Sequence, residues 1–247
     1  MNEARTTVDP AEVAFFEALG AEWWDPKGKM APLHGMNPAR LAFLRDLLVR
    51  RFHRDPKSMR PLKSLRVLDI GCGGGLLCEP LARMGADVVG VDPAPGNVDV
   101  ARHHAVQSGL EIDYRATTAE ELAAAGETFD AVLALEVVEH VSDVAAFLRA
   151  TTALVGPGGV IVLSTLNRTG KSFALAIVGA EYILRWLPPG THSWQKFVTP
   201  AEMEAGLAAC GFSPVEMIGF VYDPLSGSWS LSPDMDVNYF LAAEKAG

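Results

Sequence analysis

Residues 67 to 75 read Val-Leu-Asp-Ile-Gly-Cys-Gly-Gly-Gly, an apolar run that breaks into glycines, and Asp92 closes the next apolar run 21 positions after Gly71. The stretch from Arg66 to Ile70 is short, apolar and partly β-branched, and it stops at glycine, the pattern of a buried parallel strand. Helical periodicity resumes at Leu76, Leu77, Leu81 and Met84. A strand, a glycine turn and a helix start gather backbone N–H groups and the positive end of a helix dipole at one point. Glycines there remove the Cβ atoms that would hold a ligand off the main chain.

Sites for dinucleotides space their glycines as G-x-G-x-x-G, the third admitting close helix packing over a pyrophosphate. Here the third position is Leu76, and the glycines are compressed into Gly71, Gly73, Gly74 and Gly75, which suits a ligand without a pyrophosphate. The strand from Asp87 to Val91 delivers Asp92 at its C-terminal end, where a carboxylate can accept both hydroxyls of a ribose. An ordinary tight turn accounts for the glycines but not for Asp69 inside the strand and Asp92 at that interval. The combination indicates an adenosine-containing cofactor, S-adenosylmethionine in preference to a nicotinamide.

The 247 residues suit one domain with appendages, and 49% hydrophobic against 21% charged residues supply a sizeable core. A formal net charge of −9 argues against nucleic acid as the partner, because phosphate binding needs clustered Lys and Arg. The three cysteines, Cys72, Cys78 and Cys210, form neither a disulfide framework nor a CxxC metal site, so a reducing cytoplasm is expected. The N-terminus lacks the apolar centre of a signal peptide, and no uncharged run approaches the roughly 20 residues that span a bilayer.

Along the chain, helical stretches at about 11–22 and 38–52 precede a basic linker, Arg54 to Lys63. Strands are expected near 66–70, 87–91, 111–115, 129–135 and 158–166, alternating with helices near 76–84, 96–108, 119–124 and 143–154. That alternation specifies an α/β fold with a parallel sheet covered on both faces. A long apolar stretch at 171–187, a helix near 200–210 and two strands at 214–221 and 237–243 follow, the last two joined by a Gly/Ser/Pro-rich loop and expected to pair antiparallel at the sheet edge.

Seven segments sharpen the reading: Glu-Trp-Trp-Asp-Pro at 22–26, Pro-Leu-His at 32–34, Asn-Pro-Ala-Arg at 37–40, the glycine loop, Leu-Glu-Val-Val-Glu-His-Val at 135–141, Ser-Thr-Leu-Asn-Arg at 164–168 and Gly-Ala-Glu-Tyr-Ile-Leu at 179–184. In this order they resemble the ubiquinone-biosynthesis O-methyltransferases, over about residues 11 to 243. The resemblance implies a Rossmann-like seven-stranded sheet, five parallel strands plus an antiparallel terminal pair. It implies methylation of catechol-type hydroxyls on polyprenylated phenol and quinol rings, with S-adenosylmethionine as donor and a ubiquinone-biosynthesis complex as a possible setting. It places Arg40, Gly71, Asp92 and Leu135 at the cofactor. Arg40 is a planar donor suited to the methionine carboxylate; from the residues alone it reads as a solvated helix charge. The expected organisation is a helical cap and linker at 1–64 and a methyltransferase domain at 65–247, with an insertion at about 168–198.

Glu136, Glu139 and His140 lie just past the strand that opens over the sheet's C-terminal edge, where open α/β sheets bind ligands. Two carboxylates and an imidazole make a hard or borderline divalent site, and the resemblance implies magnesium there. The competing reading treats the acids as charges at a helix start and His140 as packing. His140 and Glu139 are also the candidates for general base if no metal is present. The segment from Thr165 to Val198 carries a net charge of +3, from Arg168, Lys171, Arg185 and Lys196 against Glu181, inside an acidic chain. It reads as a lid, which for a prenylated substrate would also touch an anionic lipid surface at the inner face of the membrane; a buried helix is the plainer alternative. Trp23 and Trp24 read as anchors, His103 and His104 as solvated, and Asn167, Arg168, His34 and His192 as weak site candidates. A nicotinamide-dependent oxidoreductase and a non-enzymatic assembly subunit remain as other function classes.

Overall fold

The computed structural model describes residues 6–18, 20–175, 177 and 193–246. Each apolar run expected to be a strand is one: β1 (Arg66–Ile70), β2 (Asp87–Asp92), β3 (Asp113–Ala116), β4 (Phe129–Leu135), β5 (Val155–Leu166), β6 (Phe212–Asp223) and β8 (Asn238–Lys245). One more, β7 (Ser228–Ser232), forms within the Gly/Ser/Pro-rich loop and makes a hairpin with β6, so the sheet has eight strands. Their order is β3-β2-β1-β4-β5-β8-β6-β7. Strands β1 to β5 pair parallel, whereas β8 runs antiparallel to both β5 and β6. From β1 the chain builds outward to β2 and β3, then returns to add β4 and β5 on the other side. That reversal opens a crevice at the C-terminal ends of β1 and β4, the place where such sheets bind ligands.

Alternate strand residues feed two hydrophobic layers. Val67, Leu133, Phe220 and Phe240 pack with Phe43, Leu44 and Leu47 of α2 (Ala31–Arg51) on one face. Leu68, Val132 and Tyr239 pack with Phe147 and Leu148 of α6 (Val144–Ala153) and Met203 of α8 (Pro200–Ala209) on the other. Burial on both faces is why the central strands read as continuous apolar runs. The helices α3 (Cys78–Arg83), α4 (Pro95–Gln107), α5 (Ala119–Ala124) and a single turn, α7 (Gly170–Ser172), complete the set described.

Two N-terminal boundaries differ from expectation. The helix expected at 11–22 divides into α1 (Pro10–Glu17), capped by the Asp9 carboxylate on the Ala11 N–H, and a 3-10 turn at Gly20–Trp24. Gly20 adopts φ of 49°, a left-handed conformation that stops the helix. Helix α2 starts at Ala31 rather than at Pro38, because Pro32 falls in its first turn, where a missing N–H is harmless, and burial of Met36 and Arg40 carries the helix through Pro38. No described helix is long and apolar enough to cross a membrane. Most of the apolar stretch at 171–187, with Glu181, Arg185 and His192, lies outside the described residues.

Candidate active site

The glycine turn follows β1 with Gly71, Gly73 and Gly75 at φ of 70°, 52° and 87°. A Cβ on Gly71 would stand 2.7 Å from Val137 Cγ2, and one on Gly73 or Gly74 would fall within 2.4–2.5 Å of Trp23. The indole of Trp23 therefore lies directly on the loop, and its Nε1 donates to Asn97 Oδ1 at 2.9 Å. Asn97 Nδ2 in turn donates to Asp92 Oδ1 at 3.2 Å. The Ala94 N–H donates to the same oxygen at 2.9 Å and the Gly73 N–H to Oδ2 at 3.0 Å. Three donors thus fill most of the roughly four acceptor positions of this carboxylate. Oδ2, with the Gly73 N–H as its one donor among the described residues, keeps an acceptor position. Burial raises the pKa of Asp92 despite these donors.

Trp24 Nε1 donates to the Gly74 carbonyl at 2.9 Å, and its ring stacks on His104 with centroids 3.4 Å apart. His104 is only partly solvated, its side chain 30% exposed, and its Nδ1 meets the fully buried Glu79 at 2.6 Å. The two tryptophans are anchors, and what they anchor is the cofactor turn.

Asp69 is buried beneath the turn and accepts from the Cys78 thiol at 3.1 Å. Burial pushes its carboxyl up to about 7, against the Cys78 hydrogen bond and the charge of Arg40. A carboxyl whose folded pKa lies above its unfolded value of 3.8 favours the fold fully at low pH and loses that contribution as pH rises through about 7. Asp69→Asn is therefore expected to gain stability relative to wild type between pH 5 and pH 8, by about 2 kcal/mol. Thermal melts of the cofactor-free protein check this; a Tm difference independent of pH would contradict it.

The second half of the site grows from the end of β4. Leu135 walls the cavity there, and Glu136 turns the chain with φ of 57°, a left-handed conformation that costs a non-glycine residue about 1 kcal/mol or more. Its N–H bonds the Ser164 carbonyl at 3.0 Å, and its Oε1 accepts from Ser164 Oγ at 2.8 Å. A 3-10 turn, Val138–His140, then presents the other two candidates. Glu139 is buried; its Oε2 accepts from Thr165 Oγ1 at 2.7 Å, while Oε1 has no hydrogen-bond partner. Burial and the neighbouring Glu136 charge raise its pKa.

His140 Nδ1 meets Glu12 Oε2 at 3.0 Å, with Phe16 edge-on to the ring at 5.1 Å. Burial pulls the imidazole pKa down, but the Glu12 hydrogen bond and the charges of Glu139 and Glu12 outweigh it, leaving a net rise. The His140 hydrogen bond, with Lys196 at 3.0 Å, draws the Glu12 carboxyl down to about 2. Arg40 is buried rather than solvated, 3.3 Å from Glu136 Oε1, and its Nε and Nη2 make no hydrogen bond. A buried guanidinium that is ion-paired through Nη2 to Glu136, with Nε outside any hydrogen bond, suits an incoming carboxylate.

One cavity of about 740 Å³ is lined by Arg40, Gly71, Asp92, Leu135, Glu136, Glu139 and His140 together, and by Glu12. That volume holds a cofactor and part of a second ligand. The carboxylates at 136 and 139 suit magnesium, the imidazole at 140 suits a softer divalent ion, and the orphaned Glu139 oxygen is one that a cation would satisfy. Among the described residues, however, no three such side chains converge as a metal cluster. His140 is turned to Glu12, and Glu136 to Ser164 and Arg40.

Sequence reasoning missed Glu12, which lines the cavity, and Asn97, which holds Asp92 and Trp23 from behind it. His34 Nε2 meets the Trp23 carbonyl, Asn167 donates to the Met235 carbonyl, and Arg168 holds the Phe197 carbonyl and Glu202.

A family profile described as a methyltransferase domain matches residues 36–217. The ubiquinone biosynthesis O-methyltransferase of Azorhizobium caulinodans is 67% identical over 243 residues, covering 98% of this chain and 96% of its own. The protein of the same name from Brucella anthropi is 56% identical, covering 98% of each. Among solved structures, magnesium protoporphyrin IX methyltransferase from Synechocystis with bound SAM aligns at a TM-score of 0.65 and 17% identity over 98% of this chain and 100% of its own, a likeness of fold. By sequence along nearly its whole length, and by the sheet that carries the site, the chain belongs to the ubiquinone biosynthesis O-methyltransferase family.

Proposed function

We propose that this chain transfers the methyl group of S-adenosylmethionine to a catechol-type hydroxyl of a polyprenylated phenol or quinol in ubiquinone biosynthesis. The observation that carries the reading is the single cavity joining the glycine turn and Asp92 to Glu136, Glu139 and His140. Asp92 and the turn take the ribose, Leu135 walls the cofactor, and Arg40 takes the methionine carboxylate. The sulfonium methyl is already activated, so the protein has to align oxygen, carbon and sulfur and remove the hydroxyl proton. The O–C bond forms as the C–S bond breaks, leaving the thioether S-adenosylhomocysteine. His140 accepts the proton, and Glu12 orients the ring and stabilises the imidazolium that results. Incubation with S-adenosylmethionine and a short-prenyl catechol tests the assignment: methyl ether and S-adenosylhomocysteine in equal amounts support it, and absence of both overturns it.

Glu136, Glu139 and His140 are also the residues that would hold a magnesium ion, supported by the orphaned Glu139 Oε1 and the pKa rise of that buried acid. When bound, such an ion lowers the pKa of the substrate hydroxyl and fixes its orientation. His140 is then a ligand rather than the base.

Residues 1–64 act as a cap that seats the cofactor turn, on a domain formed by 65–247. The insertion at 168–198 serves as a lid that meets anionic lipid at the inner face of the membrane. The half-exposed Phe173 and Leu175 support this. Phe173→Asp combined with Leu175→Asp is expected to lower recovery of the protein with floating anionic vesicles about tenfold. Equal recovery of variant and wild type would discard the lipid contact.

A further inference from the structure

Past the catalytic centre the walls of the cavity change character. One wall is the first turns of α2, with Leu33 backed by the buried Met36; the other is the top of the β6–β7 hairpin, with Tyr222 and Trp229 backed by the buried Phe220. The Trp229 indole stacks on Phe220 with centroids 4.9 Å apart and leans on Tyr222 at 5.3 Å. Its edge lies 3.7 Å from the position a Cβ would take on Gly35, so helix and hairpin stand close and face one another. Farther out the lining includes Leu175, 54% exposed, and Pro224, whose neighbour Leu225 at the hairpin tip is 97% exposed. These residues make an apolar stretch of the lining, and the charges that also line the cavity nearest Leu175 in sequence, Lys171 with Asp234, are ion-paired to one another.

The sugar hydroxyls and amino acid of S-adenosylmethionine are polar and find no partners in such a wall; their matching groups are Asp92, at the end of β2, and Arg40, one helical turn beyond Met36 on α2. A branched hydrocarbon chain is what an aromatic and aliphatic wall holds well, by burial and dispersion without directional bonds.

We infer that the arm between α2 and the β6–β7 hairpin is the binding site for the prenyl chain of the substrate, leading it from the ring at His140 to the rim at Leu175 and Leu225. This rests on the activity proposed above and adds to it a specificity site. A cavity of about 740 Å³ that also takes the cofactor has room for the first prenyl units only, and the rest of the chain stays outside. Leu33 and Trp229 are its facing walls.

The test uses the full chain and a series of catechols carrying no prenyl unit, then one, two, three and more. For wild type, kcat/KM is expected to rise about tenfold or more over the first units and then level off. Leu33→Trp, which fills the arm, is expected to reduce the ratio of kcat/KM for the longest member to that for the unprenylated ring by about tenfold. Leu33→Asp, which keeps the branched shape in a smaller side chain and removes the apolar wall, serves where the larger side chain prevents folding, and S-adenosylhomocysteine affinity reports an intact fold. A wild-type rate that ignores chain length, or a ratio unchanged in both variants, overturns the arm alone. Failure of wild type to methylate any member overturns the proposed activity and the arm with it.

Discussion

Asp92→Ala is expected to weaken binding of S-adenosylmethionine about 100-fold. Each hydrogen bond from a hydroxyl to a buried carboxylate contributes about 1.5–3 kcal/mol, and about 1.4 kcal/mol is a factor of ten. The carboxylate also carries the Gly73 and Ala94 N–H groups and the Asn97 amide, so its removal loosens the turn that the ligand's backbone contacts require. Asn97→Ala leaves the charge and removes one link to Trp23, and its loss of affinity is expected to be smaller, about tenfold. Isothermal titration with cofactor and demethylated product measures both. An Asp92→Ala protein that melts cooperatively and binds within threefold of wild type would remove this residue from the site.

His140→Ala is expected to lower kcat by about 10²–10⁴ with cofactor affinity retained, whether the imidazole is the base or a ligand. Exhaustive chelation separates the two roles. If turnover stops and magnesium restores it, His140 belongs with Glu136 and Glu139 around the ion. If turnover continues after chelation and in Glu136→Ala and Glu139→Ala variants, the metal reading is discarded and the Glu12–His140 pair remains. Glu12→Gln keeps the shape of the side chain and removes its charge from His140, and is expected to lower kcat by about tenfold with little change in KM. A loss confined to KM would show Glu12 to be a wall of the cavity rather than a positioning residue.

The central strands were legible because they are buried on both faces and bounded by glycine or polar residues; β1 and β4 fall on their expected residues. Helix α5 was legible too, since Thr118 and Glu121 form a capping box that is visible as a local pattern. Strand β7 was hidden, because Ser-Trp-Ser-Leu-Ser among turn residues looks like loop until β6 supplies a partner. At the site, positions tied to the end of one strand could be located from spacing, as Gly71, Asp92 and Glu136 were. Glu12 could not. Its partner His140 lies 128 residues away, and nothing near Glu12 distinguishes it from an ordinary surface acid. His104 was misjudged for the same reason: its helix looks solvated in isolation, and only the fold brings Trp24 and Glu79 against it.

The indole resting on Gly73 and Gly74 makes three positions mutually conditional. A larger residue at either glycine collides with Trp23, and a smaller residue at 23 leaves a void over the turn that the glycines cannot fill. Substitutions tried one at a time will therefore rank all three sites as intolerant; a paired exchange can trade bulk between positions 23 and 74, whereas Gly73, at φ of 52°, resists a side chain whatever stands at 23. Directed evolution of this pocket will reach new sequences only through simultaneous changes in two segments that are remote along the chain.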